Sequence, residues 1–202
     1  ASGYGLTLGV HTRIDETIAQ VTGNAKVGNL YVNRNMVGAV VGVQPFGGEG
    51  LSGTGPKAGG PLYLYRLLAN RPENALGVTL ARQDAHYPVD TQVKTVLTQP
   101  LDALIKWAEN RPELRAIAQQ YGELAQAGTQ RLLPGPTGER NTWTLMPRER
   151  VLCMADDEQD ALVQLAAATA TGCELLWPED ALHRDLAKQL PKAVSDRKST
   201  RL

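Results

Sequence analysis

The 202-residue chain is predicted to adopt an α/β fold. Short apolar stretches with a period of two residues, such as 6–10, alternate with stretches of helical periodicity, such as 112–125. Between residues 151 and 190, strand and helix follow one another in short steps, which favours a parallel sheet covered by helices. Proline or aspartate stands at the start of several helical stretches, as is typical of helix N-termini.

The first part of the chain is predicted to contain both strands and helices. Strands are predicted over residues 6–10, 27–32 and 75–81. Thr12 is the predicted N-cap of a helix that ends at residues 23–24, and Pro61 is predicted in the first turn of a short helix over 61–68. A change of composition at 83–88 marks the predicted domain boundary.

The second part is predicted to alternate helices with short strands. Its helices begin at Pro100, at Pro112, after a cap at Asp156 or Asp157, and at residues 178–180. Its strands cover residues 143–145, 151–154 and 175–177, and a proline- and glycine-rich loop covers 133–138.

A glycine-rich loop follows an apolar stretch between residues 29 and 60. Its glycines stand at Gly47, Gly48, Gly50, Gly53, Gly55, Gly59 and Gly60. Glycine loses more backbone entropy on ordering than any other residue. A cluster this dense therefore indicates backbone that bends through unusual angles or that another group approaches closely.

The residues of this region resemble the C-terminal end of the aldehyde dehydrogenase catalytic domain. The resemblance is carried by Asn33, Pro45-Phe46-Gly47-Gly48 and Ser52-Gly53-Thr54-Gly55. The insert Val37-Gly38-Ala39-Val40-Val41-Gly42-Val43-Gln44 is similar to the aldehyde anchor loop of L-glutamate γ-semialdehyde (Δ1-pyrroline-5-carboxylate) dehydrogenases. The rest of the chain, as far as Asp196, resembles the C-terminal portion of the bifunctional proline utilisation A family, whereas the tail at 198–202 departs from it.

The resemblance implies two domains and a fragment of a longer enzyme. Residues 1–84 are expected to be the C-terminal end of the aldehyde dehydrogenase domain with its anchor loop and an assembly strand. Residues 85–202 are expected to be part of a degenerate Rossmann-like, non-catalytic α/β module. The parent is expected to be an NAD-dependent L-glutamate γ-semialdehyde dehydrogenase that acts in the catabolism of proline to glutamate.

The same resemblance places the chemistry outside this chain. NAD is expected in an upstream domain and FAD in a proline dehydrogenase domain. The family's catalytic cysteine is also expected upstream, so no residue here is assigned a catalytic role and the isolated chain is expected to be inactive. Full-length members are expected to be cytoplasmic homo-oligomers, some of which associate peripherally with the inner membrane.

Residues that match the family's substrate site are Gly38, Ala39, Phe46 and Ser52. Glutamate γ-semialdehyde carries an α-carboxylate far from its aldehyde, and backbone N–H groups bind carboxylates through charge-assisted hydrogen bonds. Gly38 and Ala39 are small enough to permit that approach, and Phe46 matches the aromatic residue that packs along the aliphatic carbons. Ser52 is the weaker member of the set. The alternative is that Gly38-Ala39 is a simple turn and Phe46 a core residue.

Residues 165–179 resemble the aldehyde dehydrogenase nucleotide-binding motif, in which an alanine-rich helix leads to a strand that ends in Lys-Pro. Trp177 takes the place of that lysine, and its indole has one donor and no charge. No cofactor-binding residue is therefore expected here. The alternative is an alanine-rich core helix with no such ancestry.

Composition argues against several other classes of function. The 21 basic and 21 acidic residues balance, so net charge indicates neither nucleic-acid nor membrane-surface binding. No apolar run approaches the ~20 residues that span a bilayer. Cys153 and Cys173 lack metal-ligand spacing and are expected to be reduced, buried thiols, and no metal site is expected.

Several polar residues are expected to have ordinary structural roles. Asn33 and Arg34 are expected to tie the end of a strand to a neighbouring loop, and Arg34 also to add positive potential. Lys57 is expected to be a solvated loop charge. Surface or boundary positions without a carboxylate nearby are expected for His11, His86 and His183. The alternative function is a non-catalytic structural or oligomerisation module, but such a module has no need of the loop at 29–60.

Overall fold

Short strands and helices alternate along the chain, which confirms the predicted α/β fold. The computed structural model describes residues 2–53, 55–70, 72, 75, 91–195 and 198–199. The chain divides into two units, the first formed by Ala1–Gln83 with Leu132–Trp143 and the second by Asp84–Arg131 with Thr144–Leu202. The sequence did not predict that residues 132–143 pack with the first unit. The functional assignment of the two predicted domains, 1–84 and 85–202, stays a prediction.

The fully described elements of the first unit are short strands, an α-helix and a 3-10 helix. These elements are β1 (Tyr4–Gly5), β2 (Thr7–Val10), α1 (Asp15–Asn24), β3 (Asn29–Val32), β4 (Glu49–Gly50) and a 3-10 helix (Tyr63–Leu67). Strands β2 and β3 are parallel with Leu8 opposite Leu30, and α1 connects them, so the three form a βαβ unit. Strand β1 pairs antiparallel with β4. Asn29 and Tyr31 are the buried residues of β3.

Three predictions for the first unit need correction or lie outside the described residues. Helix α1 has Ile14, not Thr12, at its N-cap, because the Thr12 hydroxyl accepts a hydrogen bond from the Ile14 N–H (3.1 Å) and turns the chain before the helix begins. The predicted helix at 61–68 is a 3-10 helix that begins two residues after Pro61. The predicted strand at 75–81 lies outside the described residues, except for Ala75, which is helical and not extended.

The second unit holds a parallel sheet, five α-helices and one 3-10 turn within its described residues. Its helices are α2 (Thr91–Trp107), a 3-10 turn (Ala108–Asn110), α3 (Pro112–Leu124), α4 (Glu158–Ala170), α5 (Ala181–Gln189) and α6 (Lys192–Ser195). Its strands are β7 (Arg150–Leu152), β8 (Glu174–Leu176) and β9 (Lys198–Ser199), and β8 lies between the other two, parallel to both. Strands β5 (Gln130–Leu133) and β6 (Asn141–Thr144) form a separate pair.

Helix ends in the second unit follow local sequence signals with one exception. Pro112 is in the first turn of α3, as predicted. Asp157 caps α4 by accepting from the Asp160 N–H (2.8 Å). Pro100, in contrast, lies inside α2 rather than at its start. A proline removes one helical hydrogen bond, but the apolar face that continues through Pro100 is buried at Leu101 and Leu104, and that burial outweighs the loss.

Candidate substrate-anchor site

The predicted anchor pair lies in an open turn between β3 and the glycine-rich loop. Gly38 is exposed and has a φ of 81°, in the left-handed region that favours glycine. A Cβ atom built on Gly38 meets no atom within 4 Å, so the space in front of it is open. Ala39 is half-buried, whereas the flanking Val37 and Val41 are 82% and 98% exposed. The turn therefore presents backbone and apolar side chains outward.

Hydrogen bonds on either side leave the anchor pair with unused donors. The Val37 N–H donates to a side-chain oxygen two residues earlier (2.9 Å), and the Val40 N–H donates to Gln44 Oε1 (2.8 Å). Among the described residues, neither the Gly38 nor the Ala39 N–H donates a hydrogen bond. Two adjacent free N–H groups in a turn are the donor arrangement that binds a carboxylate.

A side-chain network supports the far end of the turn. Gln44 Nε2 donates to Glu139 Oε2 and to Asn141 Oδ1, both at 3.2 Å. Glu139 also pairs with Arg34 (Nε–Oε1, 3.3 Å), whose guanidinium stacks 5.1 Å from the centre of the Tyr31 ring. Because its charge is paired with Glu139, Arg34 adds less positive potential than the sequence suggested. No local signal pointed to this network, since Gln44 and Glu139 are far apart in the chain.

Phe46 is held at its backbone and exposed at its ring. Its N–H donates to the Ala58 carbonyl (3.0 Å), and its carbonyl accepts from the Ala58 N–H (2.9 Å). The Asn29 side chain donates to the Pro45 carbonyl (2.9 Å) and accepts from the Gly47 N–H (3.3 Å). The ring is 40% exposed, so Phe46 is not a core residue of this chain. The sequence contains no local signal for this role of Asn29, because the apolar residues that follow it indicate only a strand.

Ser52 and Lys57 stabilise the glycine-rich loop. The Ser52 hydroxyl accepts from the Gly5 N–H (3.0 Å), and no hydrogen bond among the described residues joins Ser52 to Gly38, Ala39 or Phe46. Its predicted contact with substrate stays a prediction. Lys57 is half-buried and donates to the Gly28 carbonyl, so it is not the solvated charge that was expected.

The environment of Lys57 changes its titration. Burial lowers the pKa of the Lys57 ammonium, and the nearby Glu49 carboxylate offsets part of that effect. The Lys57 amine nevertheless donates to the Gly28 carbonyl, so the side chain connects the glycine-rich loop to the residue that precedes β3.

The second unit departs from expectation at His183. This residue is 2% exposed, and its Nδ1 lies 2.7 Å from Asp180 Oδ2, so it is neither at the surface nor without a carboxylate. The sequence offers the reason in retrospect: Asp180 is the N-cap of α5, and position i+3 faces it. Trp177 is 5% exposed and its ring centre lies 5.2 Å from that of His183. Trp177 is therefore packed against His183, and the absence of an NAD-binding residue from this segment stays a prediction.

The cysteines and the remaining polar groups offer little chemistry. Cys153 and Cys173 are free and buried, and burial raises the pKa of the Cys153 thiol to about 11. A thiol with so little thiolate at neutral pH is a poor nucleophile. No cluster of three or more potential metal ligands occurs among the described residues. In the same part of the chain, no helix has the length and hydropathy needed to cross a membrane.

Part of the first unit is similar in sequence to one class of enzyme. The sequence model of the aldehyde dehydrogenase family matches residues 1–69. The chain is also 57% identical over 61 residues, 30% of its length, to 1-pyrroline-5-carboxylate dehydrogenase 1 of Halalkalibacterium halodurans, of which this match covers 12%. The first third of the chain thus carries an aldehyde dehydrogenase sequence.

Nearly the whole chain is similar to one kind of protein. It is 84% identical over 197 residues, 98% of its length, to the bifunctional protein PutA of Escherichia coli, and it spans about 15% of that protein. The solved structure of proline utilization A (PutA) from Corynebacterium freiburgense matches 90% of the chain and 17% of its own length, with a TM-score of 0.59 and 27% identity. These matches confirm the predicted resemblance to the bifunctional proline utilisation A family.

Proposed function

We propose that this chain is part of an NAD-dependent L-glutamate γ-semialdehyde dehydrogenase of proline catabolism, in which it holds the α-carboxylate of the substrate. The proposal is supported by the similarity to PutA and to 1-pyrroline-5-carboxylate dehydrogenase. The observation that carries it is the pair of adjacent N–H groups at Gly38 and Ala39, both without a partner among the described residues. In an open turn these donors face water, which a substrate carboxylate can replace.

The geometry suggests how the substrate is recognised. The two N–H groups donate to the carboxylate oxygens, and hydrogen bonds to a charged group each contribute about 1.5–3 kcal/mol. The Phe46 side chain is exposed, and its backbone N–H and carbonyl are both hydrogen-bonded to Ala58. Its ring packs against the aliphatic carbons between the carboxylate and the aldehyde of the substrate. Together, the bound carboxylate and the packed aliphatic carbons set the distance from Gly38 and Ala39 to the aldehyde carbon. The aldehyde is thereby oriented for attack.

The reacting groups are proposed to lie outside this chain. Aldehyde oxidation needs a thiolate nucleophile, and NAD supplies the hydride acceptor. The buried Cys153, with its pKa raised to about 11, does not suit the first role. Trp177 is buried against His183 and does not suit the second. FAD, homo-oligomeric assembly and a cytoplasmic location are proposed for the full-length protein only, and the isolated chain is expected to be inactive.

A structural or oligomerisation module is the second candidate. The observation in its favour is that the parallel sheet and helices of the second unit enclose a core of their own, with Leu104, Leu165 and Leu186 all buried. The two candidates are compatible, since the anchor residues belong to the first unit and this core to the second.

The decisive experiment replaces Gly38 in a full-length PutA that carries this segment. Gly38→Val places a branched side chain beside the carboxylate site and disturbs the two donors. Losing one or two charged hydrogen bonds is expected to lower kcat/KM for glutamate γ-semialdehyde by about 10- to 1000-fold. Butanal has no carboxylate, so its kcat/KM is expected to fall much less.

Gly42→Val is the matched control. Gly42 lies in the same turn, has the same φ of 81°, and likewise has no atom within 4 Å of a Cβ built on it. The two variants therefore carry the same backbone strain, and only Gly38 belongs to the donor pair. Equal losses for both aldehydes, or equal effects of the two variants, would reduce Gly38 to a turn residue and end the anchor proposal.

A further inference from the structure

We infer that Asn29 is the positioning residue for Phe46: its side-chain amide clamps the backbone on both sides of Phe46 and so sets where the ring stands. This inference rests on the proposed function for its consequence in catalysis, but the clamp itself is a statement about the fold.

The hydrogen bonds bracket Phe46 and leave the loop little freedom. Asn29 Nδ2 donates to the carbonyl of Pro45, and Asn29 Oδ1 accepts from the N–H of Gly47, at 2.9 and 3.3 Å. An amide carries its donor and its acceptor on two separate atoms at the end of a short side chain, so it can bind the two backbone groups at once. Since Ala58 binds both backbone groups of Phe46, the peptide units before, at and after Phe46 are all held.

Burial makes the clamp costly to lose. Asn29 is 7% exposed and Pro45 is buried, so truncation of Asn29 leaves a carbonyl and an N–H without partners in a poorly hydrated place. Asn29 also stands at the start of β3, in register with Thr7 of β2. The two Asn29 hydrogen bonds therefore connect the exposed loop to β3, which cannot shift without breaking its hydrogen bonds to β2.

Close backbone packing continues from the same point. A Cβ on Gly28 would lie 1.7 Å from the Gly47 carbonyl oxygen, so the two glycines bring strand entry and loop into direct contact. Lys57 donates to the Gly28 carbonyl from the other side. Asn29 follows Gly28 directly, and its side chain binds the backbone of Pro45 and Gly47, the two neighbours of Phe46.

The composition of the chain permits a specific test. Phe46 is the one phenylalanine among the 202 residues, so growth with 4-fluorophenylalanine labels this ring alone. The folded chain is expected to give a single ¹⁹F resonance that is displaced in chemical shift from the resonance of the chain unfolded in urea. In Asn29→Ala this displacement is expected to fall by more than half, or the line to split. In Asn29→Asp, which keeps the acceptor for Gly47 but sets a carboxylate oxygen against the Pro45 carbonyl, the change is expected in the same direction and of similar size.

Asn33→Ala is the control for general destabilisation. Asn33 also makes two hydrogen bonds to one backbone segment, with the N–H and the carbonyl of Thr12 at 2.9 and 2.8 Å. Its φ of 54° adds strain to the alanine variant, so this control also perturbs the first unit, although Asn33 is exposed and Asn29 is buried. Its ¹⁹F resonance is expected to stay at the wild-type position. An unchanged resonance in both Asn29 variants, or an equal shift in Asn33→Ala, would overturn the inference.

Kinetics in a full-length PutA carrying this segment separate the inference from the proposed function. Asn29→Ala and Phe46→Ala are each expected to raise KM for glutamate γ-semialdehyde about 10-fold, and the double variant no further, because both remove the same ring contact. If Phe46→Ala leaves KM unchanged, the proposed role of Phe46 in binding fails, and the ¹⁹F displacement still decides whether Asn29 positions the ring. Additive effects of the two substitutions would contradict the positioning role directly.

Discussion

The close approach of Gly28 to the glycine-rich loop yields a quantitative prediction for Gly28→Ala. A Cβ at this position would lie 1.7 Å from the Gly47 carbonyl oxygen and 2.6 Å from Gly48 Cα. Ordinary contacts begin near 3.4 Å, so the loop or the strand entry has to move by more than an ångström. The displaced atoms are backbone, which side-chain rotation cannot relieve.

The expected cost follows from that displacement. Overpacking a well-filled site costs about 1–3 kcal/mol, and a clash with backbone lies at the upper end. Movement of Gly47 also stretches its bond to Asn29, which adds about 1 kcal/mol. We therefore expect the Gly28→Ala chain to lose about 2–4 kcal/mol in its free energy of unfolding. Urea unfolding followed by circular dichroism measures this loss, and hydrogen exchange of the β3 amides localises it.

Gly23→Ala is the matched control. Gly23 lies in α1, and a Cβ there meets no atom within 4 Å. Alanine in an exposed helix is favoured over glycine by about 0.5–1 kcal/mol, so this variant is expected to be slightly more stable than the parent. If both alanine variants unfold at the same urea concentration, the contact between Gly28 and Gly47 is not required and the reasoning fails.

Two further predictions concern titratable groups. The backbone N–H and then the ring of His183 hold the pKa of Asp180 below its ordinary value, so the stability it contributes is complete above about pH 4 and is lost as the pH falls through the lowered pKa. Asp180→Asn is expected to flatten the fall in urea midpoint from pH 4 downwards, and an unchanged slope would contradict this. Burial raises the pKa of Cys153 from 9.0 to about 11, which lowers its thiolate fraction about 100-fold. In a Cys173→Ser chain, which keeps the burial and loses the smaller electrostatic contribution of Cys173, Cys153 is expected at pH 8 to react with a thiol reagent about 10- to 100-fold more slowly than after unfolding; equal rates would show that the thiol is accessible.

Structural features that depend on residues close together in the chain could be predicted from the sequence alone. The start of α3 at Pro112 and the cap of α4 at Asp157 depend on backbone groups within three or four residues, so the residue types suffice to predict them. The alternation of strand and helix predicted a parallel sheet, and β7, β8 and β9 form one. The family resemblance depended on the loop at 29–60 for the same reason, since its glycines and prolines stand close together in the chain.

The anchor-site neighbourhood depended on contacts between distant parts of the chain. Gln44 meets Glu139 across 95 positions, and Lys57 reaches Gly28 across 29, so no local pattern records either contact. Asn29 looks like an ordinary polar residue at a strand entry until the loop folds back and brings Pro45 and Gly47 to its two amide atoms. A polar side chain becomes a clamp only when burial removes water as its alternative partner, and burial is decided by the packing of the whole unit.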